Sequence, residues 1–411
     1  MSNEYKNNHY VPIWYQKRFM LPEQKDNELF YLDLDPRSFT DSKGNIYKAN
    51  EVTIQGPRKC FSEDDFYKTE FEGKSSKDIE KIFFGEIDTR GQKAVDYYAN
   101  FSHPWDGGDH FKDMMMYMST QKLRTPKGLD WLGKNIGASN KNETLRLMLE
   151  LRQLYCAIWA ECVWLIADAS NSNTKFIVSD HPVTVYNRAC GPRWCYRNGD
   201  PDIWMNGTHT IFPLSLDKIL IMTNLSWVRN PYQKERSFRP HPNPLRNAIF
   251  KITDIQTLRF LDEEEVRQIN FIIKNLANRY IAAAKKEWLY PEKHVSKSEW
   301  YQYGHGYLLM PDPRAVHMGG TIMWGGGPGP GGAMDEYGRT PWDPEFEQES
   351  KSSNETNTLY RFKGEFARLF GPHRRGRTFH AMSIDNERDD DEFHKYHLDL
   401  ENQHKRKRRK E

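Results

Sequence analysis

The sequence predicts an α+β fold, several long helices with a small, mostly antiparallel sheet, and three observations carry that expectation. Leu145, Met148, Leu149, Tyr155, Trp159 and Val163 recur at helical spacing within 143–169, which reads as one long central helix. Three strand-like runs, 174–179, 209–214 and 218–223, are bounded by turn residues, the last two forming a hairpin around Ser215-Leu216-Asp217. From Pro291 onward the chain turns irregular, and beyond Glu345 it is too charged to offset the entropy of ordering it.

The remaining elements follow in chain order. Pro12 suits the first turn of a helix, where its missing N–H is no loss, so 13–19 reads as a short helix. Leu29-Phe30-Tyr31-Leu32 is a strand, followed by turns at Asp35-Pro36 and Lys43-Gly44-Asn45. Ile79, Phe83 and Ile87 form one apolar helical stripe, and a second helix runs from Asp109 to Leu123. That helix must stop near Arg124-Thr125, because the residue before Pro126 is pushed out of the α region. Asp262-Glu263-Glu264-Glu265 opens a helix at its positive end, with Val266, Ile269, Ile273, Leu276 and Tyr280 inward and Lys285-Lys286 at its close.

The organisation expected is a core domain over 1–290, an irregular Gly/Pro/aromatic-rich extension and linker over 291–344, and a charged, largely disordered tail over 345–411. The tail holds one short helix near 362–370. Only 37% of the 411 residues are apolar, and the mean hydropathy of −0.85 agrees with much of the chain lying outside a core. A net charge of +2 excludes a globally polycationic nucleic-acid binder, so any basic surface is local. The local cluster is Lys405-Arg406-Lys407-Arg408-Arg409-Lys410, which would attract nucleic acid through phosphate contacts, or act as an import signal in a cell with a nucleus. No apolar run reaches the roughly 20 residues needed to span a bilayer. The start Met1-Ser2-Asn3-Glu4-Tyr5-Lys6 is polar, and five cysteines suit a reducing compartment. The expectation is a soluble cytoplasmic protein without a membrane partner.

Chemistry-bearing residues sit beside prolines. His9 stands in Asn8-His9-Tyr10-Val11-Pro12, Arg124 in Arg124-Thr125-Pro126, and Asp180 in Ser179-Asp180-His181-Pro182. An imidazole is a general base near neutral pH, and a carboxylate can orient it. An arginine fork can clamp phosphate or carboxylate. His9 and Asp180 are therefore the catalytic candidates, with Arg124, Tyr10 and Tyr67 as substrate-binding groups. Each has a structural alternative: His9 pinning the N-terminal segment by bonds to carbonyls, Arg124 capping a helix end, Asp180 forming an Asx turn. Asp180, His181, His209, Cys190 and Cys195 are candidate metal ligands; the two cysteines lack a matching second pair, so neither metal nor cofactor is expected. Gly325 to Gly332 is a linker and not a phosphate loop, since no Gly-Lys-[Ser/Thr] follows.

Five motifs occur in one order: Asn8-His9-Tyr10-Val11-Pro12 with Tyr15 and Phe19, Asp65-Phe66-Tyr67, Gln121-Lys122-Leu123-Arg124-Thr125-Pro126, 176–183, and Phe212-Pro213-Leu214-Ser215. Together they resemble the family catalogued as domain of unknown function 4238, over 8–290. Gln16 departs from that pattern, where a leucine is frequent. The resemblance implies an intracellular setting and no defined activity. The functional expectation from the residues is an enzyme acting on a nucleotide or nucleic-acid phosphoester. The alternative is a non-catalytic binding or scaffold protein in which the same residues are structural.

Overall fold

The computed structural model describes residues 7–25, 28–71, 74–76, 84–102, 108–138, 140–160, 162–195, 199–203, 205, 208–223, 255–296, 300, 322–324, 332–334 and 342. The 362–370 helix, the charged tail with Lys405 to Lys410, Ile79 and Phe83 lie outside these residues, as does the glycine-rich linker except Gly332.

The chain opens with β1 (Asn7–His9) and α1 (Ile13–Lys17), then β2 (Leu29–Asp33), β3 (Ser38–Thr40), β4 (Ile46–Lys48), β5 (Val52–Gln55), β6 (Ser62–Asp64), β7 (Thr69–Phe71) and β8 (Lys74–Ser76). A helical stretch follows: α2 (Gly85–Ala99), α3 (Gly108–Arg124), α4 (Pro126–Ile136), α5 (Lys141–Glu150) and α6 (Cys156–Ala160). Next come β9 (Val163–Asp168), β10 (Val178–Ser179), β11 (Thr184–Asn187), β12 (Thr208–Pro213), β13 (Lys218–Thr223) and β14 (Gln256–Phe260). Helix α7 (Glu263–Leu276), β15 (Tyr280–Ala283) and the hairpin β16 (Ile322–Trp324) and β17 (Gly332–Met334) complete the described chain.

The fold is α+β, as expected, but it holds two principal sheets. One runs β10-β15-β2-β5 and the other β11-β12-β13-β9-β14. All pairings are antiparallel apart from β14 on β9, so the mostly antiparallel expectation holds. The expected hairpin is β12 and β13, with Phe212 opposite Leu220.

The expected helix over 143–169 is instead α5, a turn, the short α6 and strand β9. Val163 to Ile166 are buried on both sides of the sheet, and a strand buried on both faces reads as an unbroken apolar run that periodicity cannot tell from helix. The helix opened by Asp262 also ends earlier than expected, at Leu276, so Tyr280 belongs to β15. Its start is a complete capping box: Asp262 accepts from the Glu265 amide (2.8 Å), and the Glu265 side chain accepts from the Asp262 amide (3.0 Å). Val266, Ile269, Ile273 and Leu276 are buried, as expected.

The N-terminal segment docks through the family-like motifs. Tyr15 stacks on Phe212 with ring centroids 5.3 Å apart, and the Leu216 amide donates to the Arg18 carbonyl (3.1 Å). Gln16, the departure from the family pattern, is buried and donates to the carbonyls of Val11 (2.8 Å) and Cys60 (3.2 Å), so its polar head ties two segments where leucine could only pack. No helix among the described residues is long and apolar enough to cross a membrane.

Candidate functional site

One corner of the chain organises the site. Thr125 is extended (φ −74°, ψ 161°) because Pro126 follows it, which ends α3 and starts α4 within one residue. Its hydroxyl accepts from the Gly128 amide (3.2 Å), an N-cap, and Pro126 fills the first helical position. Lys122 in the last turn of α3 and Lys127 in the first turn of α4 therefore reach the same point from two helices.

A second segment meets this corner. Ser179 ends β10 at the edge of one sheet and Thr184 begins β11 at the edge of the other, so Asp180 to Val183 is the crossing between the sheets. Asp180 is fully buried and accepts from the amides of Asn278 (2.8 Å), Arg279 (2.7 Å) and Tyr280 (2.8 Å), fastening the crossing to the start of β15. That fixed turn presents His181.

Asp200 joins the two segments. Lys127 Nζ donates to Asp200 Oδ1 (2.6 Å) and to the carbonyl of Leu276 (2.7 Å) at the negative end of α7. Lys122 Nζ donates to Asp200 Oδ2 and to the Val183 carbonyl (3.3 Å). His181 Nε2 lies 3.1 Å from Asp200 Oδ2 and 3.3 Å from Lys122 Nζ, and its Nδ1 lies 2.7 Å from Thr125 Oγ1. Either neutral tautomer satisfies both ring nitrogens. With the proton on Nε2, the ring donates to Asp200 and accepts from Thr125; with the proton on Nδ1, it donates to Thr125 and accepts from Lys122.

Burial sets the protonation of the cluster. It pushes the His181 imidazole down to about 4, with the Lys122 charge acting in the same direction and Asp200 against it. Burial would raise the Asp200 carboxyl, but Lys122, Lys127 and His181 outweigh it and hold the group well below the usual carboxylate range. Burial pulls the Lys122 ammonium below the usual lysine range, and Asp200 pulls it back. The cluster thus sets two lysines and a neutral imidazole against Asp200, and Asp202 lines the adjoining cavity as a second acid.

It opens onto a cavity of about 550 Å³, whose lining includes Lys122, Lys127, Trp131, Tyr155, His181 and Asp200. That volume is in the range of small-molecule sites, roughly 300–1,000 Å³. Cys190 and Cys195 lie on the same wall.

The residues expected from sequence occupy other positions. None of His9, Tyr10, Tyr67, Arg124 and Asp180 lines this cavity. His9 sits in β1, which pairs with β6, and its Nε2 meets the Arg58 carbonyl (3.1 Å); burial lowers its pKa and that bond opposes the change. Arg124 is buried, with Nη2 on Asp88 (2.8 Å), Nε on Gln121 (2.7 Å) and its guanidinium over Phe84. Burial alone would lower the Arg124 pKa, and Asp88 turns the balance upward. The Tyr67 hydroxyl donates to the Arg124 carbonyl (2.9 Å), and the Tyr10 carbonyl accepts from Gln121 (2.8 Å). Burial raises the Tyr10 phenol. Asp180 is pushed by burial up to about 6, against the pull of its three amide donors. His9, Arg124 and Asp180 carry separate partner sets and do not bond to one another.

Two of the three proline-flanked segments do converge, but through the neighbours Lys122, Thr125, Lys127 and His181 instead of Arg124 and Asp180. Asp200 lies outside every motif, and only packing reveals it. Of the residues weighed as metal ligands, His209 lies in β12 and bonds Thr223 Oγ1 (2.9 Å), with burial driving its pKa down to about 3. Among the described residues, no three His, Cys, Asp or Glu side chains are grouped to hold a metal ion.

No curated protein and no solved structure matches this chain. A family-wide sequence profile, described as protein of unknown function (DUF4238), matches residues 7–287. That span contains every element of both principal sheets and the whole cavity cluster, and the chain belongs to this family.

Proposed function

We propose that the Lys122–Lys127–His181–Asp200 cavity is the active site of an enzyme acting on a phosphoester of nucleotide size. The observation that carries the reading is that Lys122, Lys127 and His181 converge at the head of a half-open, aromatic-lined cavity. In low dielectric a lysine ammonium attracts a phosphate strongly, and the rings of Trp131 and Tyr155 offer a base or sugar an apolar wall. Among the described residues Lys127 uses two of its three N–H bonds, leaving one for a phosphate oxygen. His181, neutral near pH 7 and with its proton on Nδ1 toward Thr125, exchanges the Lys122 contact at Nε2 for the attacking water, takes a proton from it and returns it to the ester oxygen that leaves phosphorus. Thr125 holds the ring in place through Nδ1. A cytoplasmic setting, and nonspecific nucleic-acid contact through Lys405 to Lys410, belong to the same proposal and rest on sequence alone.

The second reading is a non-catalytic protein whose cluster is structural. Its support is Lys122, whose ammonium already faces Asp200, the Val183 carbonyl and His181. Calorimetric titration with nucleoside monophosphates, together with hydrolysis of an aryl phosphodiester, separates the two. The enzyme reading expects binding that Lys127→Met weakens, and turnover that His181→Asn removes while binding persists. Turnover unaffected by His181→Asn, or no binding by the intact protein, overturns it.

A further inference from the structure

We propose that Cys190 and Cys195 form a modification site, in which the two thiols close reversibly into a disulfide on oxidation by a hydroperoxide. Their sulfurs stand 3.7 Å apart across a loop that the fold already holds in a closing shape. The Cys190 amide donates to the Asn187 carbonyl (3.1 Å), the 3₁₀ turn Pro192–Trp194 reverses the chain, and the Cys195 thiol donates to the Gly191 carbonyl (3.5 Å). Trp300 packs beside Gly191 and donates from its indole to the Asn187 carbonyl (2.9 Å), which clamps the loop from outside. The backbone therefore brings the sulfurs together before any bond forms, and they must still close from 3.7 Å to a bond of about 2.05 Å.

Cys190 is half-buried on the cavity rim and Cys195 lies deeper, so Cys190 meets the oxidant first. Its sulfur attacks a peroxide oxygen, the O–O bond breaks, and the departing oxygen takes the thiol proton to leave as water or alcohol. The resulting sulfenic acid faces Cys195, whose sulfur displaces the hydroxyl; the S–O bond breaks, the S–S bond forms, and the Cys195 proton leaves with the hydroxyl as water. Two thiols are oxidised by two electrons and one peroxide bond is reduced. A dithiol reverses the step by exchange. Burial, which pushes the Cys195 thiol up to about 12, suits a resolving thiol that does not react with the oxidant alone. The remaining cysteines, Cys60, Cys156 and Cys162, are placed elsewhere, and burial raises Cys60 to about 12 and Cys156 to about 11. Both Cys190 and Cys195 line the cavity, so the bond alters its wall whatever ligand the cavity takes.

The test uses the full-length protein treated with hydrogen peroxide, alkylated in denaturant and digested with trypsin without reductant. Arg193 lies between the two cysteines, so the disulfide appears as the 189–193 peptide joined to the 194–197 peptide. The linked pair is expected to replace the two alkylated peptides, to return to them after dithiothreitol, and to be absent from Cys190→Ser and Cys195→Ser. Cys60, Cys156 and Cys162 are expected to remain alkylated throughout. Cys190 driven to sulfinic acid with Cys195 still alkylated overturns the proposal, as do two thiols that survive peroxide unchanged. This readout needs no ligand, so its failure is distinct from failure of the phosphoester reading.

Discussion

Lys127 Nζ lies 2.6 Å from Oδ1 of Asp200, a residue 73 positions further along the chain. Both side chains are largely buried, at 11% and 13% exposure, and Lys122 approaches the other carboxylate oxygen. Asp200→Asn leaves two ammoniums facing each other in low dielectric, and removal of one partner of a buried pair costs roughly 3–5 kcal/mol. Urea unfolding should show that loss for Asp200→Asn and a smaller one for Lys127→Met, which leaves Asp200 with Lys122. Equal losses would mean that the carboxylate is not the hub.

Thr125 caps α4 and meets His181 Nδ1 with one oxygen. Thr125→Ala should cost about 0.5–2 kcal/mol, the range for a lost N-cap, and Thr125→Ser should restore most of it. A Cβ at Gly128 would overlap the carbonyl oxygens of Lys122 and Leu123, so Gly128→Ala should be the more damaging change despite its size. Thermal unfolding of the three variants ranks them.

Stability should fall with acid. Burial depresses His181 to about 4 and His209 to about 3, both from an ordinary 6.5, so below 6.5 the unfolded chain binds protons that the native protein refuses. Each such group makes unfolding easier by about 1.4 kcal/mol per pH unit as pH drops from 6.5 toward its folded value. Asp180 acts oppositely between 3.8 and about 6, where the native protein holds the extra proton, and so offsets one of the two histidines there. Denaturation midpoints from pH 7 to 4 should decline, with a shallower slope in His209→Gln. A flat profile would show that the imidazoles protonate freely in the fold.

Asp180 should behave as a backbone clamp. Asp180→Ala strips the acceptor from the amides of Asn278, Arg279 and Tyr280. Each buried unsatisfied donor costs about 1–3 kcal/mol. Hydrogen exchange should accelerate at 278–280 before the rest of the sheet; unchanged protection there would contradict the assignment.

The legible parts of this chain are those governed by local rules. Strand 218–223, a short apolar run bounded by turn residues, and the acidic opening of α7 depend on turn and capping chemistry within a few positions. Local signals also marked the break at Thr125-Pro126, although α4 beyond it was not expected. The 143–169 stretch reads as one helix because β9 is buried on both faces, and its unbroken apolar run continues the spacing of α5. The site was half legible for a similar reason. Proline-flanked polar residues marked the two crossing segments, but at each one the neighbouring residue faces the cavity: Arg124 packs under Phe84 while Lys122 points to Asp200, and Asp180 turns to the backbone while His181 turns outward. Asp200 meets Lys122 across 78 positions, a pairing set by tertiary packing alone.

The central claim is that Lys127, at the head of the cavity, receives a phosphate. Crystals of the protein soaked with adenosine monophosphate test it most directly. The account predicts density for the phosphate against Lys127, with the rest of the nucleotide between Trp131 and Tyr155. A cavity that stays empty at saturating nucleotide, or density confined to another surface, would contradict it.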